Sequence, residues 1–450
     1  MGSKTLRFYI TWLSILQYGV ILGIETSFIS VFSGNEQFDE TYGHPTSFEQ
    51  GIMTAIYLVF AAVGSSLSIP CATKFDKKTI IILATVLWII GCNIKGMAIG
   101  LLSSLLPLYI TEVFLDTHVS YVLTSYQSAL PFGIFFNALV VAVGFGGEKP
   151  LLKSFNYCWL VSALPVSSVL FTCFFIRVSP FDLLKSKKQK KLYESVEEVY
   201  GNEKLKEAID NLSIQATKTN LKSDVTKLFT TKSSAKRLLY ATLPQIMVQM
   251  TGINILMYYI TYICQRAMTT AIALYFCNFL FNSGSICVVR FSGRVPMLRY
   301  GCLVLGLLHA ITFMLMTTGH EVPPINGNPS AVWTVDPMQG ISISVTCFAF
   351  VITFSLTVAG AGMVYTAEMV PQETKPVGMG VAITIGWIVN FVMSTSGPLL
   401  LATLKHYTFL LFALFCLFSY LLSSRFVETR NSTESYLQGL FDSPHKETSV

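Results

Sequence analysis

Charge is scarce in this chain. Only 12% of its 450 residues are Asp, Glu, Lys or Arg, against about 25% in an ordinary soluble domain. Hydrophobic residues make up 52%, and the mean hydropathy is +0.57. That balance excludes a soluble enzyme, a nucleic-acid binder and a disordered chain. Catalytic signatures are missing as well: there is no HExxH, no Walker A, no GxSxG and no carboxylate pair in a catalytic setting. No enzyme activity, cofactor or metal site is therefore expected. An Arg-rich sensor helix and a TVGYG filter are also absent, which disfavours a channel. The ten cysteines sit in or beside apolar runs, none in a CxxC, and read as small buried residues. The six histidines are scattered, and His44, His118 and His320 read as solvated loop residues.

What the chain has instead is apolar runs of about 20 residues, the length that crosses a bilayer. They lie at 8–31, 51–72, 120–144, 156–176, 238–261, 268–290, 296–317, 340–366, 377–403 and 407–424. The stretch 79–113 reads as two unusually short helices, 79–94 and 96–113, split at Lys95 and Gly96. Counting both gives twelve crossings.

Loop charges test that count. The segment from Arg177 to Arg237 holds 14 basic and 8 acidic residues, while the rest of the chain balances at 17 of each. With twelve crossings, the odd-numbered connections carry only Lys95, Lys149, Lys153, Arg266 and Lys405. The other 26 basic residues fall on the opposite side, which places both termini and the 177–237 loop in the cytoplasm. A single crossing at 79–113 would split that basic loop from the N-terminus. The first apolar run is too long for a cleavable signal peptide and reads as the first crossing. The sequon at Asn211 then lies in the cytoplasmic loop, where glycosylation is not expected.

The expected organisation is an N-terminal six-helix half over 1–176, a basic loop over 177–237, a second half over 238–424 and a tail over 425–450. In the loop, Leu192, Val196, Val199, Ile209 and Leu212 recur at helical spacing and predict short amphipathic helices. The halves echo each other weakly: Tyr109-Ile-Thr-Glu112 closes the fourth crossing, and Tyr365-Thr-Ala-Glu368 closes the tenth. Parallel six-helix repeats are typical of transporters that hold a solute between the halves.

Polar side chains inside apolar helices are costly and mark function. The seventh crossing offers Gln245, Gln249 and Asn254, followed by Tyr258 and Tyr259. The fifth offers Gln127 and Asn137, the eighth Asn278 and Asn282, and the eleventh Trp387 and Asn390. Neutral amides both donate and accept, which suits a polyhydroxyl ligand, and an indole face covers the C–H surface of a sugar ring. The same amides also serve simply to tie helices together. Glu25 is the one acidic residue well inside an apolar run. A carboxyl in that position suits a proton carrier, or it sits without such a role at a water-filled mouth.

The run Gln249-Met-Thr-Gly252-Ile-Asn254-Ile-Leu-Met-Tyr258-Tyr259 resembles the Q-x-T/S-G-x-N-x-x-x-Y-Y signature of the sugar porter family of the major facilitator superfamily. Further matches follow in family order. They are Gly23-Ile-Glu25-Thr26, Pro107-Leu-Tyr109-Ile-Thr-Glu112, Gln127 with Gly133, Gly293-Arg294-Val-Pro296, Glu368-Met-Val-Pro371 with Lys375 and Gly378, Trp387-Ile-Val-Asn390, and Glu428-Thr-Arg430. The resemblance implies an all-α membrane protein with the twelve-helix major facilitator fold. It implies sugar contacts at the positions of Gln127, Gln249, Asn254, Asn278 and Trp387, to which the reading of the residues adds Tyr259 and Asn390. It implies a cytoplasmic charge latch at Arg294, Glu368 and Lys375, with Glu112 and Gly293 beside it, and a proton site at Glu25.

Departures from the pattern accompany these matches. Val248 replaces a sugar-binding glutamine, and Ala359-Gly-Ala-Gly362-Met363 replaces G-P-x-P-W, removing an aromatic contact and two prolines. Val119 stands where an arginine would pair with the proton-site acid. The hairpin at 79–113 is about 15 residues shorter than the family pattern, near the lower limit for spanning. The expected function is transport of a hexose-like sugar or related polyol by alternating access, with proton coupling open. A transport-inactive sensor or scaffold, or a carrier of another small neutral solute, is the alternative. The expected partners are the sugar or polyol, membrane lipid and protons, with no nucleic acid. A monomer in the plasma membrane or in a vacuolar or other internal membrane is expected.

Overall fold

The structure, a computed structural model, describes residues 2–32, 43, 45–91, 93–145, 168–169, 171–200, 209, 221–257, 268–323 and 332–442. Long helices dominate it. In the first half these are α1 (Gly2–Phe32), α2 (Ser47–Lys74), α3 (Lys77–Ile90), α4 (Asn93–Val113) and α5 (Asp116–Phe145). Most of the crossing expected at 156–176 lies outside the described residues. Three short helices follow: α6 (Pro180–Lys185), α7 (Gln189–Tyr200) and α8 (Leu221–Thr230). The second half holds α9 (Lys232–Met250), α10 (Met268–Phe291), α11 (Arg294–Met316), α12 (Pro337–Phe354), α13 (Gly360–Met369), α14 (Lys375–Thr403) and α15 (Tyr407–Ser423). A last helix, α16 (Glu434–Asp442), lies in the tail, and a two-residue ribbon pairs β1 (His320–Glu321) with β2 (Trp333–Thr334).

Eight helices among the described residues are long and apolar enough to cross a membrane. The α15 helix has 17 residues and α3 only 14, the latter about 21 Å at 1.5 Å per residue. The apolar exteriors of the helices stay uncovered: Leu83, Ile90, Val143, Phe276, Leu307 and Phe418 are all exposed. That is the surface a lipid solvent requires.

The local starts and stops have readable causes. At the start of α2, Thr46 and Glu49 form a capping box, with Thr46 N–H donating to Glu49 Oε2 at 2.8 Å. The chain turns between α3 and α4 at Gly91, whose φ of 89° lies in the left-handed region. The turn was expected at Lys95 and Gly96, because a charge and a glycine interrupt the apolar run there. Both lie inside α4 instead, and Lys95 is buried at 8% exposure.

The halves meet along α2 and α14, and again along α5 and α10. Small residues let these helices close: Ser65 Oγ stands 2.5 Å from Ser104 Oγ and accepts from Thr384 Oγ1 at 3.0 Å. In the central loop Leu192 and Val196 are buried with Leu183, and Ile209 packs beside them, as their spacing predicts. The side chain of Val199, and Leu212, lie outside the described residues.

Candidate functional site between the halves

A cavity of about 210 Å³ opens between the two halves. Helices α1, α4 and α5 supply one wall; α9, α10, α12, α13 and α14 supply the other. Of the expected substrate-binding residues, Gln127, Gln249, Asn254, Asn278, Trp387 and Asn390 all line it. Tyr259 lies outside the described residues. Two further amides, Gln245 and Asn282, line it too, and so does Met363. All three stood among the residues singled out in the sequence, but helix spacing alone did not place them on the cavity wall. Among the described residues, no charged side chain contributes to the lining.

The amides form a linked set. Asn254 Nδ2 donates to Gln249 Oε1 and, at 2.9 Å, to Asn390 Oδ1, which also accepts from Ser394 Oγ at 2.9 Å. Asn278 Oδ1 accepts from Ser355 Oγ at 2.8 Å, and Asn282 Oδ1 from Ser128 Oγ at 3.2 Å. These bonds use carbonyl oxygens and leave the Nδ2 groups of Asn278, Asn282 and Asn390 able to donate to a ligand. Gln127 makes no hydrogen bond among the described residues, so its whole amide is available. Trp387 Nε1 donates across the halves to Ser103 Oγ at 2.8 Å, which fixes the indole in the cavity wall. Asn137, by contrast, is fully buried and donates to Ser27 Oγ at 3.0 Å, tying α5 to α1.

The wall from α12 to α13 is irregular. A π-helical turn at Ser355–Ala359 joins the two helices beside the cavity. Such turns insert an extra residue into the helix and gather at functional sites. Here one stands in the segment from which the expected hinge prolines are missing.

Glu25 does not lack a basic partner. Lys95 Nζ lies 2.9 Å from Glu25 Oε1, and the same ammonium sits 5.5 Å from the centre of the Trp88 ring. The arginine position of the family pattern is Val119, and Lys95 in the apolar run reads as a turn residue. The partner comes instead from the first turn of α4, which the turn at Gly91 delivers to α1.

The expected latch residues fall into two clusters at the end of the bundle that carries the short loop helices. In the first half, Lys77 Nζ lies 3.0 Å from both Glu112 Oε2 and Asp182 Oδ1, and Ser179 Oγ donates to the Glu112 carboxylate. Asp182 also accepts from Lys77 N–H at 2.8 Å, which caps the start of α3. Lys77 and Asp182 are not among the expected site residues. In the second half, Arg294 holds Glu368 in a two-pronged contact, at 3.1 and 2.8 Å, and Thr429 Oγ1 adds a bond at 2.6 Å. Glu428 accepts the N–H groups of Arg294 and Val295, closing the start of α11. A Cβ at Gly293 would collide with that carboxylate. Lys375 is buried in the first turn of α14.

This arrangement matches a known family. The profile described as "Sugar (and other) transporter" matches residues 90–436. The chain belongs to this sugar transporter family. It is 26% identical to the "probable metabolite transport protein YFL040W" of Saccharomyces cerevisiae, an alignment covering 95% of this chain and 85% of that one. It is 24% identical to "high-affinity glucose transporter 1" of Candida albicans, over 91% of this chain and 81% of the relative. Among solved structures, the proton:xylose symporter XylE bound to 6-bromo-6-deoxy-D-glucose superposes with a TM-score of 0.80. The identity is 18%, over 98% of this chain and all of that one. The inward-open conformation of XylE from E. coli gives 0.72 at 19% identity, over 96% and 99%. The fold is thus that of the major facilitator superfamily. This sugar transporter family member is an integral multi-pass membrane protein of a transporter class.

Proposed function

We propose that the protein carries a hexose-like sugar or related polyol across a membrane by alternating access. One observation carries the reading: among the described residues, seven neutral amides and one indole line the cavity between the halves, and no charged side chain does. A hydroxyl-rich neutral solute satisfies such donors and acceptors, whereas an ion would be left without a counter-charge. Gln127, Gln249, Asn254, Asn278, Asn390 and the face of Trp387 are assigned to substrate, with Tyr259 assigned by its motif. The relatives named as glucose transporters support the choice of a sugar.

The proton is proposed as co-substrate. Glu25 lies beside Leu22 and Thr26, which line the cavity, and its pairing with Lys95 gives it a charge partner that a proton can replace. The two charge clusters are assigned as the gate on the side of the loop helices, with Glu112, Gly293, Arg294, Glu368 and Lys375 as members. By the loop charges that side is cytoplasmic and holds both termini. The halves are assigned as 1–176 and 238–424, joined by the loop 177–237 and followed by the tail 425–450. The protein is assigned to the plasma membrane or an internal membrane, as a monomer.

Equilibrium binding tests this reading. Glucose added to purified protein is expected to change the indole emission, and Trp387→Phe to remove the change. No change with any pentose, hexose or hexitol would overturn it.

A further inference from the structure

The helix that carries Gln249 breaks just after it. Helix α9 ends at Met250; Gly252 N–H reaches back to Gln249 O at 3.2 Å, and Gly252 takes φ 77° before helical turns resume over 253–257. Asn254, which donates to Gln249 and Asn390, sits on this resumed segment. A break in a membrane helix frees backbone carbonyls that hydrocarbon cannot satisfy.

Two side chains from other helices take up carbonyls on either side of Asn254. His309 of α11, 2% exposed, lies with Nε2 at 2.8 Å from Thr251 O. A carbonyl can only accept, so Nε2 carries the proton and donates. The ring is boxed by Phe350, Phe409 and Phe412, with centroids at 4.5, 6.0 and 5.7 Å. Phe412 also fills the space where a side chain at Gly252 would stand. Three residues beyond Asn254, Tyr275 of α10, 3% exposed, donates its hydroxyl to Met257 O at 2.9 Å. Neither side chain lines the cavity.

We propose that His309 and Tyr275 are positioning residues for substrate: they pin the chain at Thr251 and at Met257, on either side of Asn254, and so set Asn254 against Gln249 and Asn390. The inference rests on the reading that these amides contact the transported solute. A segment with one pin removed still folds into the bundle but samples other placements of Asn254. Substrate affinity falls, while the gates and the rate of the loaded carrier stay as they were.

The test uses Tyr275→Phe, which removes one oxygen, and His309→Phe, which fits the aromatic box without a donor. His309→Gln keeps a donor. In reconstituted protein, KM for glucose exchange is expected to rise about tenfold in both Phe variants, with maximal rate within about twofold and His309→Gln near wild type. Unchanged KM in both Phe variants would overturn the proposal. Should His309→Phe not fold, Tyr275→Phe decides alone. Should the wild type exchange no sugar, the substrate reading fails separately, and hydrogen exchange decides the pinning. Amides of 252–257 exchanging about tenfold faster in the Phe variants would uphold it, and unchanged exchange would overturn it.

Discussion

Lys95 Nζ lies 2.9 Å from Glu25 Oε1, with both side chains at a tenth or less of their full exposure. Two opposite charges held this far from water stabilise each other, but the pair as a whole gains little over an apolar replacement. Net stability alone is therefore a weak reason for the pair to be there. If Glu25 carries the coupled proton, Glu25→Gln abolishes proton-driven accumulation and leaves sugar exchange intact. Accumulation unchanged in that variant would remove Glu25 from the mechanism.

The same pair makes a stability prediction. Lys95→Met leaves the Glu25 carboxyl without its charge partner and should cost about 3–5 kcal/mol, while Glu25→Gln with Lys95→Met should cost less than Lys95→Met alone. Thermal unfolding of the detergent-solubilised variants reads this directly. A double variant that is simply the sum of the singles would show that the two side chains do not interact.

Most of the fold was legible, because membrane crossings announce themselves as apolar runs. Most of the amide set was legible too, since amides are rare in apolar stretches, although spacing alone did not put Gln245 and Asn282 on the cavity wall. Lys95 was not. In a one-dimensional reading a lysine beside a glycine marks a turn, and only the helix packing that brings residue 95 to residue 25 gives it another use. The ion pairs of Lys77 with Glu112 and Asp182 were hidden for the same reason: the three residues come from separate elements. The π turn at Ser355–Ala359 has no sequence signal beyond the missing prolines.

Lys77 gives a third prediction. It neutralises two carboxylates and is 1% exposed. Lys77→Met removes the cation that bridges Glu112 and Asp182, and is expected to destabilise the protein by about 3–5 kcal/mol. Lys77→Arg, which keeps the charge, should cost clearly less. Equal melting temperatures for the two variants would show that charge is not what holds the cluster.

Val248 is an apolar member of the cavity wall in a ring of amides. Val248→Gln adds one donor and one acceptor there. It is expected to lower KM for hexose transport by about three- to tenfold, the worth of one net hydrogen bond. A raised or unchanged KM would indicate that the solute keeps an apolar face against α9.

The central claim is transport of a sugar through the cavity of amides. Uptake of radiolabelled glucose into liposomes holding the purified protein tests it most directly, with and without an inward proton gradient, against Asn254→Ala. The account predicts saturable uptake in the wild type, stimulation by the gradient and loss of uptake in the variant. No uptake of any sugar by folded wild-type protein, or uptake unaffected by Asn254→Ala, would contradict it.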